Sequence, residues 1–370
     1  MHRVRPPWPP LALVLAAALA VACSSTQGAG SHDVEVSTPL ATAVALETST
    51  VAGPPPTATP EALTIAFVGD LMLARDVTTL LEADGVGYAL ERALPLFEGA
   101  DLVVGNLEGT LTDRGEPLVK TYAFRTPPAL VGALAPFDAV SLANNHSTDF
   151  GTAGLQDTLT ALDGAGIEAF GAGLDAASAE APVILEAHGL RVAILGVDDI
   201  GEVIPATETQ AGVAFAPVDP SALAPRIEAA AREVDFVVLF MHAGTEYDPV
   251  PSDRQRALAH AAIDAGADLV IGAHPHVLQP FEEYRDGLIA YSLGNFVFDL
   301  DREDLEVLYG PAPFQSGVFH VELRRGERPH SLAFRPAYID VDENRPRPAT
   351  SEEAAAFVPP LLTELTAFGR

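Results

Sequence analysis

A layered α/β fold with mixed sheets is what this sequence predicts, and two observations predict it. The first is a set of six short apolar runs closed by Asp, Asn, Gly or His: LTIAFVGD (63–70), ADLVVGN (100–106), DAVSLANN (138–145), RVAILGVDD (191–199), DFVVLFMH (235–242) and DLVIGAH (268–274). Continuous apolar runs of about four to six residues read as strands covered on both faces. The second is the helical patterning between them, and such alternation argues for α/β layers.

In chain order, residues 1–22 combine a basic start (Arg3, Arg5) with the apolar stretch Leu11–Ala22, too short for a comfortable membrane span. Small residues lead into Cys23, the only cysteine. This resembles a bacterial lipoprotein signal, with Cys23 as the lipid-bearing N-terminus. Residues 23–61 are rich in Ser, Thr, Pro and Ala and carry no aromatic residue. They cannot bury enough apolar surface to offset their ordering entropy, so a disordered tether is expected. The main domain is expected over 62–345. Helices fit at about 85–97, 127–135, 152–165, 219–233 and 252–265, the last with Ser252 and Gln255 as a capping box. Two hairpins are expected, with turns at His188-Gly189 and Asp286-Gly287. Residues 301–315 read as an irregular loop. Late strands come next at 316–324 and 331–340, and a peripheral helix at about 351–366 lies within a C-terminal segment, 346–370.

The chain has 370 residues, and 21 Lys and Arg oppose 51 Asp and Glu for a net charge of −30. Nucleic acid is a poor partner for such a surface, since phosphate binding needs clustered cations. With 48% hydrophobic residues the chain is not disordered overall. One cysteine excludes an intrachain disulfide framework and Cys₄ metal sites.

Polar residues that can ligate metal terminate five of these strands: Asp70, Glu108, Asn144-Asn145-His146, His242, and His274 with His276. Ligands of layered α/β folds bind outside the carboxyl ends of strands. Mixed oxygen and nitrogen donors suit Mn, Fe or Zn. In an extended His274-Pro275-His276 segment both imidazoles would face one side. Five coincident strand ends point to one metal-centred cleft. Arg75 and Arg125 are candidate anion clamps, because guanidinium matches phosphate and carboxylate bidentately. Asn144, Glu246 and Asn295 are further candidate substrate contacts.

The motifs GDLMLAR (69–75), GNLEGTLT (105–112), FRTPP (124–128), SLANNHSTDFG (141–151), HAGTEY (242–247), GAHPHVLQP (272–280) and YSLGNFVFD (291–299) resemble the bacterial capsule-synthesis CapA family of poly-γ-glutamate synthesis proteins, in the calcineurin-like metallophosphoesterase superfamily. The resemblance covers about residues 63–300. It implies a four-layer αββα sandwich with one or two divalent ions between its sheets. By motif, Asp70 would bind the first metal and Glu108 would bridge. Asn145, His242 and His274 would bind the second, and His276 would return to the first. His146 would be a proton donor or transition-state electrophile, oriented by Asp149. The superfamily's Asp-x-His is Asp70-x-Met72 here, its bridging Asp is Glu108, and the family's His-Trp-Gly is His242-Ala243-Gly244. With Met72 in place of the histidine, the first site is short of one ligand.

The resemblance implies a surface-anchored hydrolase of phosphoester type, in which metal lowers the pKa of an attacking water. Its substrate would be a phosphoester or an anionic polymer. Capsule-synthesis membrane proteins would be its partners, and the N-terminal lipid its membrane contact. The alternatives are a non-catalytic poly-γ-glutamate binding or export partner, and an amide hydrolase of the polymer.

Overall fold

The computed structural model describes residues 62–300, 302–327, 329 and 331–361. The expected signal segment, Cys23 and the tether lie outside the described residues, as do positions 362–366 of the expected C-terminal helix. Two sheets form the centre. The first runs, in spatial order, Arg345–Pro348, Ser331–Asp340, Gln315–Arg324, Ala62–Leu71, Leu102–Leu107, Ala139–Ser141 and Glu168–Phe170, with Asn295–Val297 also paired to Ala62–Leu71. The second runs Phe281–Tyr284, Gly287–Ala290, Leu269–Ala273, Phe236–His242, Leu190–Asp198 and Val183–Ala187. Both are mixed: in the first the parallel strands run to the Glu168–Phe170 edge and the antiparallel ones lie on the other side, whereas in the second parallel strands lie in the middle with an antiparallel hairpin at each edge.

Period-two patterning separates three apolar layers. Phe236, Val238 and Phe240 pack between the sheets against Ile65, Phe67 and Phe319. Val237, Leu239 and Met241 face the other way, onto Ile227 and Leu258 of the helices Ala224–Ala231 and Asp253–Asp264. Behind the first sheet, Val68, Val103 and Val140 meet Val77, Leu155 and Leu162 of the helices Asp76–Asp84 and Gly151–Ala165. Helix, sheet, sheet, helix is therefore the layer order, and the expected αββα sandwich is observed.

An aspartate locks the start of four parallel strands. Asp101, Asp138, Asp235 and Asp268 each precede a strand. Their carboxylates accept the amides of Thr64, Val103, Arg191 and Val237, at 2.8, 2.7, 2.9 and 2.8 Å. Each aspartate amide donates back to the carbonyl of that same neighbour. The reciprocal pair satisfies a ladder end that would otherwise need water, and it fixes register so that the opposite, carboxyl ends align.

Three local expectations are corrected. A helix occupies Asp76–Asp84 rather than 85–97, because Gly85 closes it at φ +98° and Gly87 and Pro95 interrupt the next stretch; a 3₁₀ turn remains at Leu94–Phe97. The 301–315 segment is not irregular: it forms the helix Arg302–Tyr309 and a 3₁₀ turn, Ala312–Phe314. Its REDLEVLY sequence has no breaker before Gly310, where φ is +63°. The 219–233 helix is split by proline into Pro220–Leu223 (3₁₀) and Ala224–Ala231. Ser252 does form the capping box with Gln255.

Asp138→Ala removes one reciprocal closure and leaves the Val103 amide without its acceptor. The expected loss is about 1–2 kcal/mol of stability, measured by urea unfolding. An unchanged midpoint would show that the aspartate closures do not hold the strand starts.

Candidate metal centre

Strand geometry delivers the candidate ligands. His242 continues the inward parity of Phe236, Val238 and Phe240, so it lies between the sheets at a strand's carboxyl end. Asp70 needs an irregularity. Leu63, Ile65 and Phe67 face the inter-sheet core, yet Leu71 faces outward with Ala66 and Val68. A register shift between Phe67 and Asp70 accounts for the slip and turns Asp70 inward. Gly69 permits it, since a Cβ there would lie 1.9 Å from the Gly294 carbonyl oxygen.

The cluster is buried and cross-linked between the sheets. Asp70 Oδ1 accepts the Asn106 side-chain amide at 2.8 Å, and Asp70 Oδ2 lies 3.4 Å from His276 Nδ1. His242 Nε2 is 2.9 Å from Asn145 Oδ1, and its Nδ1 is 3.3 Å from Asn106 Nδ2. Glu108 is fully buried, and neither of its oxygens has a hydrogen-bond partner. His146 Nε2 and His276 Nε2 each approach Glu108 Oε1 at 3.8 Å. His274 Nδ1 is likewise buried without a partner. Two sets of donor atoms lie close enough to share an ion: Asp70, Glu108 and His276, and Glu246, His274 and His276. Each set includes a residue with an atom orphaned by burial, Glu108 in one and His274 in the other, and such atoms are what a divalent ion would satisfy, so these residues fit a divalent metal.

Electrostatics agree. Burial, reinforced by Asp70, pushes Glu108 well above the usual carboxylate range. Burial and the neighbouring imidazoles push His242 and His274 well down, which keeps them neutral. Burial would also lower His276, but Glu108 and Asp70 override it and raise it to about 10. In the metal-free chain Glu108 and His276 both shift toward their protonated forms, so a proton held on either would lessen the buried negative charge.

His146 is held at its other nitrogen. Its Nδ1 is 2.8 Å from Asp149 Oδ2, which also accepts the Phe124 amide at 2.7 Å. The ring stacks on Phe124, 4.2 Å between centroids. Burial lowers the His146 pKa while Asp149 opposes the shift.

Several expected site residues take other roles. His274 and His276 have φ of +96° and +57°, so the His-Pro-His segment is not extended; the rings converge through a strained loop. Asn144 spends both ends of its amide on Asn106, Leu107, His146 and Ser147, leaving nothing for substrate. Asn295 Oδ1 is 2.9 Å from His276 Nδ1 and orients that ring instead. Arg125 is not brought to the cleft: its guanidinium donates to the Arg114 and Gly115 carbonyls and covers Phe150 at 3.7 Å. Arg75 does line the cleft, paired to Asp299. Glu246, expected against substrate, shares a potential ligand set with His274 and His276. Met72 is buried, its sulfur accepting the Ala74 amide at 3.1 Å.

Two residues were missed. Asn106 bridges Asp70, His242 and Asn144 and so ties both sheets to the centre. The strand parity Leu102, Val104, Asn106 could have found it. Lys120, only 5% exposed, donates to Asp149 at 2.8 Å and to the Asn145 carbonyl at 2.6 Å. It sits in an aperiodic loop that gives no signal. Asn106→Ala is expected to weaken Mn²⁺ affinity about 10–100-fold by calorimetry while the unfolding transition stays cooperative. Wild-type affinity in that variant would remove Asn106 from the supporting shell.

The bacterial capsule synthesis protein PGA_cap model matches residues 64–300. The PGA biosynthesis protein CapA of Bacillus subtilis is 38% identical over 245 residues, 65% of this chain and 64% of that protein. The capsule biosynthesis protein CapA of Bacillus anthracis is 39% identical over 249 residues, 65% and 60% of the two chains. The chain thus spans less than two thirds of the length of these relatives. Among solved structures, a hypothetical protein from Thermus thermophilus aligns with a TM-score of 0.48 at 19% identity, covering 74% of this chain and 98% of that one. A family match over residues 64–300, which include the strand ends of the buried cluster, means that this chain belongs to the bacterial capsule synthesis PGA_cap family.

Proposed function

We propose that this protein is a metal-dependent hydrolase of phosphoester type, lipid-anchored through Cys23 outside the cell and working in capsule or poly-γ-glutamate synthesis. One observation carries the reading: Glu108 has two orphaned buried oxygens, and its Oε1 faces His276 on one contact and His146 on another, each at 3.8 Å. His276 would hold metal there. His146, backed by a carboxylate, is placed to move a proton beside it.

Asp70, Glu108, Asn145, His242, His274 and His276 would hold one or two divalent ions. Ions so bound would supply Lewis acidity and a water of lowered pKa. The remaining work belongs to the chain. Asp149 accepts Nδ1–H of His146, which leaves Nε2 as the atom that exchanges a proton with substrate. His146 would enter the step as the imidazolium, which Asp149 favours against burial; as the phosphorus–oxygen bond breaks, its Nε2 proton goes to the departing oxygen and leaves the neutral ring. Lys120 fixes Asp149 from the opposite oxygen. Arg75 lines the entrance to the cleft, its guanidinium held by Asp299.

A second reading, a non-catalytic binding partner of a capsule machine, is favoured by Met72. The family's substitution leaves the first ion without one nitrogen ligand, and the thioether is committed to the Ala74 amide. Hydrolysis of an aryl phosphate with added Mn²⁺ separates the two. The hydrolase reading expects turnover that His146→Ala lowers about 10²–10⁴-fold without loss of bound metal. No turnover by fully loaded wild-type protein would favour the binding role.

A further inference from the structure

The cleft above the ligand cluster has walls whose chemistry selects what lies beside the reacting group. It encloses about 540 Å³, room for a ligand of small-molecule size. Much of its lining is aromatic: Tyr122, Phe124, Tyr247 and Phe298. Tyr247 is braced by Tyr309, stacked at 4.2 Å and 16° between ring planes, and its own ring lies 5.8 Å from His276. Phe124 lies against His146 and meets Phe298 edge-on at 6.1 Å. The aromatic wall therefore touches the proton-moving histidine and a candidate metal ligand directly.

The charged part of the lining is mostly negative. Asp76, Glu246 and Asp299 oppose Arg75. Arg75 is already paired with Asp299, and its guanidinium lies 5.0 Å over the Phe124 ring. The overall charge of −30 adds no attraction for an anion from the rest of the chain. An interior stretch of polyglutamate carries one carboxylate per residue. One carboxylate would find the ions, but its neighbours would find no free cation among the described residues of the lining, since Arg75 is already paired with Asp299 and Asp76 adds negative charge. A flat uncharged ring would instead meet the side chains of Tyr122 and Tyr247, since the Phe124 ring is already covered by His146 and Arg75.

The geometry points to a substrate with a single oxyanion group and an adjacent flat, uncharged ring, of the aryl phosphoester class, rather than an interior segment of a polyanion. The inference rests on the hydrolase reading of the same site. Calorimetric titration of Mn²⁺-loaded protein with phenylphosphonate and methylphosphonate tests it, because the two share the oxyanion and differ in the ring. Phenylphosphonate is expected to bind about 10-fold tighter. Tyr247→Ala should bring the two affinities together, Tyr247→Phe should restore the difference, and poly-γ-glutamate should displace neither ligand. Equal affinities in the wild type, or displacement by poly-γ-glutamate, would overturn ring selection while leaving the hydrolase reading in place. Failure of both phosphonates to bind would remove the oxyanion site itself, and both readings with it.

Discussion

Negative charge buried between two sheets is the constraint on which the rest of this structure depends. Asp70 and Glu108 are both fully buried, and Glu108 lacks any hydrogen-bond partner. An uncompensated carboxylate in such a place costs several kcal/mol. A fold that keeps two of them must supply positive charge. Burial alone would leave His276 neutral; Glu108 and Asp70 oppose that and raise its pKa to about 10. A divalent ion would meet the same demand with more charge and would free His276 to ligate. The neutral state of His242 and His274 is the state that metal binding requires.

The scaffold serves that cluster from a distance. Reciprocal aspartate closures at one end of the sheets set the register of Leu102–Leu107, Ala139–Ser141, Phe236–His242 and Leu269–Ala273. Register at that end determines where the chain emerges at the other. Three apolar layers make each strand rigid and so fix where it ends: Asp70 and His242 lie on the strands themselves, and Glu108, Asn145, His274 and His276 on the turns that follow. The bulge before Asp70 and the strained loop at His274 and His276 are local departures from regular geometry at the site itself. Asn106 and the Asn145–His242 contact then stitch the two sheets together at the centre.

Much of this was legible in the sequence, for a physical reason. Buried parallel strands write themselves as unbroken apolar runs, so the polar residue that ends each run stands out. That made Asp70, Glu108, His242 and the 274/276 pair visible. Side chains inside a run are harder to read. Asn106 was overlooked because it follows Gly105 in a stretch that looked merely like a strand end. Lys120 lies in a loop, where no periodicity points toward its target. Arg125 was misjudged because residue type says nothing about direction: its guanidinium turns to the Arg114 and Gly115 carbonyls. Asn144 and Asn295 were placed in the right neighbourhood but against protein atoms rather than substrate. The helix Arg302–Tyr309 was missed since a short polar segment carries little hydrophobic pattern. Its Tyr309 nevertheless braces the cleft wall.

These strand ends would grip ions at one point. Anomalous scattering from crystals of protein purified without chelator tests it most directly, because it gives the element and its position together. The account predicts one or two first-row transition-metal peaks within bonding distance of Glu108, with Asp70 and His276 around one and His242, His274 and Asn145 around the other. A well-ordered structure from Mn²⁺-supplemented protein with no such peak beside Glu108, or with ions bound only elsewhere, would contradict it.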